Sequence, residues 1–419
     1  MMSSLAWQKV NQQYPWPTYC DGKMPHRGGT MTGAVHPAPS RRRPRDRRVQ
    51  ILAAASDLFA RRGYHAVGMS DIAEAVGVGA SALYRHFAGK QELLYAVLED
   101  NLVTLRATLP TLDLADMDGT ALRIADFALD HRYLGVLLQR EARQLAPENM
   151  RVWRGGFDAL GLEILGRIQQ VRPELSPVSA GMMAWAALSV MGSISFHDAE
   201  LPAPDYRRLL ADILVEAIYA PVPRGLEWEK PERSPGLAPL SRREALLANA
   251  LRLFARDGFT EVSNEDIGAT VGIAGPSLYH HFASKREIVL TAGVRAMGAL
   301  HLELSFVLAS SSTPREALRK LLGHYVQYAL RHRDLVQVLL NERLVLGDPG
   351  RAFITGYIAE WTHLLAAANP GMDDATARIR VGAAMTLAND AARTPFLRHS
   401  AIADVLLTVC GRVLLLPGK

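Results

Sequence analysis

Cysteine is nearly absent from this sequence: Cys20 and Cys410 are the two in 419 residues, one near each end. There is no CxxC pair and no metal-ligand spacing. A disulfide framework and a structural zinc site are therefore excluded, and a reducing cytoplasm is the expected setting. No uninterrupted apolar run reaches the ~18–20 residues of a membrane span, so no membrane partner is expected. Residues 1–40 lack the apolar core of a signal peptide. With Trp7, Trp16 and several prolines they read as a disordered extension, or as sequence ahead of a start at Met31. Convincing period-2 strands are missing too, which leaves no sheet to host an α/β enzyme site. Lysine is scarce, 7 residues against 40 arginines, and the net charge of +5 does not by itself announce a nucleic-acid binder. Its distribution says more, because Arg41, Arg42, Arg43, Arg45, Arg47 and Arg48 are crowded together. Taken alone, that run fits a solvated tail as well as a DNA-contacting arm.

What the chain does have is a duplication. Residues 58–87, LFARRGYHAVGMSDIAEAVGVGASALYRHF, return as residues 253–282, LFARDGFTEVSNEDIGATVGIAGPSLYHHF, at a constant offset of 195. Fourteen of the 30 positions are identical, where unrelated sequences would share about two. Weaker matches follow at drifting offsets: His131–Glu141 with His332–Glu342, Arg151…Phe157 with Arg351…Tyr357, and Leu210–Leu214 with Ile402–Leu406. Between the copies lies a stretch, Pro221–Leu240, with five prolines in 20 residues, which cannot be a continuous helix. Two whole domains are thus repeated, not two short motifs. The expected boundaries are an extension at 1–40, reading heads at 41–105 and 241–300, helical bodies at 106–220 and 301–419, and a linker at 221–240.

Within each head the apolar spacing gives one helix ending at Gly63 or Gly258 and a short second helix over Asp71–Val76 or Asp266–Val271. Ser263 and Asp266 form an N-cap pair in the second copy. Gly77 or Gly272 then makes a corner plugged by Val78 or Ile273, and a third helix runs through Leu83–Phe87 or Leu278–Phe282. Two short helices about a glycine turn make a helix-turn-helix, whose second helix enters the major groove. Leu83 and Phe87, four apart, face inward; Ser81, Tyr84 and Arg85 face out. Ser284-x-x-Glu287 is a capping box that opens a fourth helix, and Lys285, or Lys90 in copy one, sits where a phosphate meets free N–H groups.

These residues carry a resemblance: Leu-Phe…Gly at the end of helix one, Asp71-Ile72, Gly77-Val78, Leu83-Tyr84-x-His86-Phe87 and Lys90, with their equivalents 195 residues on. Both segments resemble the DNA-binding domain of the TetR family of bacterial repressors. The resemblance implies an all-α fold in two units, each a three-helix DNA-binding head, a connecting helix and a helical ligand-binding and dimerisation body. It implies a double-stranded DNA operator, a small-molecule effector, and pairing through the last helices of each body. The candidate DNA-binding residues are Arg45, Arg47, Arg48, Ser70, Gly79, Ala80, Ser81, Tyr84, Arg85, His86 and Lys90 in copy one. In copy two they are Ser263, Gly275, Pro276, Ser277, Tyr279, His280, His281 and Lys285. Copy one departs from the family by Gly68 where a Ser or Thr is favoured, and by Gly79 and Ala82 at hydroxyl-bearing positions.

In the bodies, Glu141, Trp153, Phe157, Trp185, Glu342, Tyr357 and Trp361 are candidate ligand contacts. Aromatic residues at helical spacing are more often core, and the two glutamates serve equally to pair with Arg140 or Arg343. Apolar bodies favour a lipophilic effector. Gly77-Val-Gly-Ala-Ser-Ala82 mimics a dinucleotide fingerprint but follows a helix, so its mechanism is missing. His280 and His281 diverge by about 100° on a helix and share no metal ion easily. No nucleophile–base set or cofactor site is visible. The expected function is a cytoplasmic, ligand-responsive repressor that reads two unlike half-sites, either as an intrachain pseudo-dimer or as a homodimer. In the alternative, only one head binds DNA and the other copy serves sensing or dimerisation.

Overall fold

The computed structural model describes residues 44–229, 237 and 239–416. The N-terminal extension, Arg41, Arg42, Arg43 and linker residues 230–236 and 238 lie outside the described residues. All regular structure among the described residues is helical. Copy one contains α1 (Pro44–Arg62), α2 (Met69–Ala75), α3 (Ala80–Leu83), α4 (Lys90–Thr108), α5 (Met117–Asp130), α6 (Leu134–Gln139), α7 (Pro147–Val171), α8 (Pro177–Ser193) and α9 (Ala203–Ile218). Copy two contains α10 (Arg242–Asp257), α11 (Asn264–Ala269), α12 (Lys285–Ala309), α13 (Pro314–Arg331), α14 (Arg333–Asn341), α15 (Gly347–Ala368), α16 (Asp374–Arg393) and α17 (Ile402–Val413).

The compact units cut across the expected boundaries. One is Met1–Val103 with Glu141–Phe157; the other is Thr104–Arg140 with Asp158–Lys419. In the first unit the head buries Ile51, Phe59, Ile72, Leu83 and Phe87 from α1, α2 and the third segment. It is clasped by residues 141–146: Glu141 Oε2 accepts from Tyr64 N at 2.8 Å, and Gln91 reaches both Gln144 O at 2.7 Å and Ala146 N at 3.0 Å. In the second unit the core of the other head takes in a residue of the body. Leu246, Phe254, Ile267, Leu278 and Phe282 share a cluster with Val338 of α14.

The centre of the second unit is where the two bodies meet. α8 packs on α16 and α9 on α17. Both helices are rich in buried alanine, with Ala180, Ala184 and Ala187 on α8 and Ala377, Ala384 and Ala388 on α16. Small side chains let helix axes approach closely, and apolar burial supplies the attraction. A few polar groups cross the contact. Arg380 Nη1 donates across it to Glu216 Oε2 at 2.6 Å, and within its own body to Val413 O at 2.8 Å. Asp390 accepts from Gln139 Nε2 at 2.6 Å and from Ser189 Oγ at 2.9 Å, while Arg393 donates to Gln139 O at 2.9 Å.

The start of the linker is laced onto this body instead of hanging free. Ser176 N donates to Arg224 O at 2.7 Å, Ser179 Oγ to Pro223 O at 2.7 Å, and Glu229 accepts from Ser400 N at 2.8 Å. Another expectation needs correcting. Two helical segments, Pro177–Phe196 and Lys285–Ala309, are long and apolar enough to cross a membrane by length and composition. The first is the mostly buried α8 of the contact just described. The second is α12, which begins inside the second head and carries Arg295, paired with Glu244, and Glu303, paired with His324.

Two outcomes are expected of the body–body contact. Arg380→Ala strands Glu216 in a largely buried place and lowers stability by about 3 kcal/mol, measured by denaturant unfolding; a loss within error would show the pair to be idle. Burial pushes the Asp390 carboxyl up from 3.8 to about 6, against the pull of Arg393, Ser189 and Gln139. The folded chain therefore holds this proton more tightly than the unfolded chain. Its contribution is present in acid and lost as pH rises through about 6. Wild type should lose stability relative to Asp390→Asn across that window, and parallel pH profiles would refute the assignment.

Candidate nucleic-acid interface

Each head builds its outward face from a capped helix, a glycine corner and a short third segment. In head two the cap is reciprocal: Ser263 Oγ accepts from Asp266 N at 3.0 Å, and Asp266 Oδ2 accepts from Ser263 N at 2.8 Å. Hydrogen bonds donated by the Ser263 hydroxyl and backbone N–H hold the Asp266 carboxyl below its ordinary range. Head one has half of this device, with Gly68 N donating to Asp71 Oδ2 at 2.6 Å. The corners lie at Gly77 (φ 66°) and Gly272 (φ 72°), in the left-handed region where glycine carries no Cβ penalty.

The third segment is shorter than the expected helix through Phe87 and Phe282. In head one it is α3 followed by a turn, with Tyr84 N bonding to Ala80 O and Arg85 N to Ala82 O. In head two it is a 3-10 helix, Gly275–His280. Pro276 there offers no N–H, and i→i+3 bonds such as His281 N to Leu278 O take over. The facing is as the spacing requires. Leu83, Phe87, Leu278 and Phe282 are buried, while Tyr84 is 54% and Tyr279 58% exposed.

Ser70, Gly79, Ala80, Ser81 and Arg85 are exposed beside Tyr84, as are Pro276 and His280 beside Tyr279. His86, Ser263, Ser277 and His281 are half-buried. Gly275 is placed differently from its expected outward position. It is buried, and a Cβ there would stand 2.6 Å from Glu265 Oε1 and 3.0 Å from Glu265 N. Glycine is needed for this close approach of the third segment to α11.

Several expected phosphate contacts are turned inward. Lys90 Nζ donates to Tyr64 O at 2.9 Å and lies 4.2 Å from the Tyr64 ring centre. Lys285 Nζ donates to Phe259 O at 2.8 Å and Val262 O at 2.6 Å. Both ammonium groups cap the loop between the first two helices, where unpaired carbonyls would otherwise be stranded. Arg48 lies over the Phe87 ring at 4.5 Å, and its repeat-mate Arg243 over Phe282 at 4.0 Å. Arg243 also donates to His281 O. Arg47 Nη1 donates to Val76 O at 3.1 Å. Arg48 and Arg243 staple the first helix to the end of the third segment, and Arg47 fastens it to the end of the second helix. Arg45 falls within α1. The residues that sequence reasoning missed are Asn264, whose Nδ2 donates to Tyr279 OH at 3.0 Å, and Glu265 beside Gly275. The repeat itself signalled the staples, since Arg48/Phe87 and Arg243/Phe282 share one offset.

The candidate ligand residues fall into both units. Glu141 is buried and engaged with Tyr64 N. Trp153 stacks on Phe157 at 5.4 Å. Trp185 is buried on α8, and Glu342 is half-buried after α14. Tyr357 and Trp361 pack with Tyr325, whose hydroxyl donates to Asn389 Oδ1 at 2.9 Å. Burial raises the Tyr357 hydroxyl above its ordinary range.

This geometry defines a protein with two helix-turn-helix heads. The family model of TetR-type bacterial regulatory proteins matches twice, over residues 51–97 and 246–292. The transcriptional activator FasR of Mycolicibacterium smegmatis is 51% identical over 80 residues, covering 17% of this chain and 36% of FasR. The transcriptional repressor KstR2 of the same species is 35% identical over 114 residues, covering 25% of this chain and 53% of KstR2. A solved TetR-family regulator from Bordetella parapertussis is 23% identical with a TM-score of 0.38, covering 41% of this chain and 93% of that one. The chain spans between about a third and about a half of the curated relatives it matches. Each head therefore matches the TetR-type DNA-binding model, and the two matches stand in tandem within one chain.

The inward lysines make a separable expectation. Lys285→Met should destabilise the second head by about 1–3 kcal/mol, seen as faster amide exchange in α10 and α11. A variant as stable as wild type that fails only on DNA would return Lys285 to the interface.

Proposed function

We propose that this protein is a cytoplasmic, ligand-responsive transcriptional repressor that reads two unlike half-sites of a DNA operator as an intrachain pseudo-dimer. The observation that carries this reading is the body–body contact of α8 with α16 and α9 with α17 inside one chain. A two-half-site reader needs two heads fixed to a common base, and here both bodies belong to the same molecule. The exposed Tyr84 and Tyr279 faces supply the reading surfaces. Curated relatives include both an activator and repressors, and repression is the sign we assign. The aromatic and apolar side chains of the bodies favour a lipophilic effector that acts by shifting the balance between body conformations.

Tyr84→Ala combined with Tyr279→Ala should abolish operator binding in a gel shift while the thermal transition is kept; undiminished binding would remove the third segments from the interface. The mass of the complex on DNA selected from a random pool should correspond to one chain per two half-sites. Two chains per site would overturn the pseudo-dimer.

A further inference from the structure

We infer that the two heads share DNA recognition unequally: Arg85 makes head one the anchoring reader, while Glu265 and Asn264 hold head two to a weaker contact. This inference rests on the DNA-reading function proposed above.

The repeat gives a position-by-position comparison at an offset of 195. Arg85 stands opposite His280, Ser70 opposite Glu265, and Met69 opposite Asn264. Arg85 is exposed on the outward side of the third segment, and among the described residues no carboxylate or carbonyl engages its guanidinium. A free guanidinium fork matches O6 and N7 of guanine, the commonest base-specific contact in the major groove. An imidazole at the same register in head two lacks both the fork and the fixed charge.

Head two also carries two features that head one lacks. Asn264 Nδ2 donates to the Tyr279 hydroxyl at 3.0 Å, so that hydroxyl is already engaged within the protein. Met69, at the same register in head one, has no donor to tether Tyr84. The second feature is the Glu265 carboxylate. Because Gly275 has no side chain, α11 and the third segment close together, and Oε1 of Glu265 lies 2.6 Å from the point a Gly275 Cβ would occupy. The carboxylate is thereby placed beside the start of the reading segment. Ser70, its counterpart, offers a neutral hydroxyl there.

Local charge runs the same way. Residues 63–90 contain Arg85 and Lys90 against Asp71 and Glu74, whereas residues 258–285 contain Lys285 against Glu261, Glu265 and Asp266. Both lysines are turned inward, so within these two stretches Arg85 is the outward cation of head one and head two has no equivalent. DNA affinity is dominated by phosphate neutralisation, and a carboxylate at the contact opposes it.

The test uses the full chain and a duplex that the wild-type protein selects from a random pool, with binding followed by fluorescence anisotropy. Arg85→Ala should weaken binding by about tenfold or more. His280→Ala should cost less than about threefold. Glu265→Gln should tighten binding by about threefold in low salt, with the gain shrinking as salt screens the charge. A gain cannot come from unfolding, so this variant separates the electrostatic role from a structural one. The selected duplex should show one half-site with a fixed guanine and one degenerate half-site. Equal losses from Arg85→Ala and His280→Ala overturn the inference, as does a Glu265→Gln variant that binds no better than wild type. If the paired Tyr84→Ala and Tyr279→Ala substitutions also leave binding intact, the DNA-reading function itself fails, a result distinct from equal heads.

Discussion

The contact of α8 with α16 is the constraint on which the rest of the second unit depends. Buried alanines on both helices give close approach with little side-chain entropy to lose, and apolar burial supplies the driving force. Small apolar side chains alone specify register poorly. The polar crossings remove that freedom. Asp390 meets Ser189 and Gln139, and Arg380 meets Glu216, in one register only. A slipped pairing would strand a carboxylate and a guanidinium away from water, at a cost of several kcal/mol.

Placing both bodies on one chain changes what that contact can do. Pairing becomes intramolecular, at an effective concentration set by a short connection. The first part of that connection is itself laced to the body through Ser176, Ser179 and Ser400. In a symmetric homodimer every substitution appears twice, so a change that weakens one head weakens both. A covalent tandem is free of that rule. Glu265 can sit in one head while Ser70 occupies the other, and Gly68 can replace a capping hydroxyl that Ser263 retains.

What the sequence made legible is what local rules govern. The repeat, the all-helical pattern, the Ser263 cap, the Gly77 and Gly272 corners and the inward Leu83 and Phe87 all depend on residues within one or two turns. The misplaced residues depend on partners far along the chain. Lys90 and Lys285 stand at a helix entrance, where a phosphate and an internal carbonyl compete for the same charge; the carbonyls of Tyr64, Phe259 and Val262 are 23–26 residues away. Glu141 reads as a lone acid on an apolar helix until folding brings Tyr64 N to it across 77 residues. Gly275 reads as an exposed helix start because its close neighbour, Glu265, belongs to a different helix. The apolar length of α8 and α12 is hidden from a search for unbroken runs, since Ser179, Ser189, Thr291 and His301 interrupt it.

The two copies fasten their heads in the same place by different chemistry. In copy one, Glu141, Gln144 and Ala146, which follow α6, hold Tyr64 and Gln91 through hydrogen bonds. In copy two, Val338 of α14 enters the head's apolar cluster, Gln337 Nε2 donates to Ala255 O at 2.5 Å, and Val345 O accepts from Arg286 at 3.3 Å. The second head is thus held to its body by the connector helix and by this second point. The polar clasp of copy one is directional and breaks with a small displacement, whereas the apolar clasp of copy two tolerates sliding before it loses contact. The two heads are thus held by contacts of different chemistry, which a symmetric homodimer could not arrange.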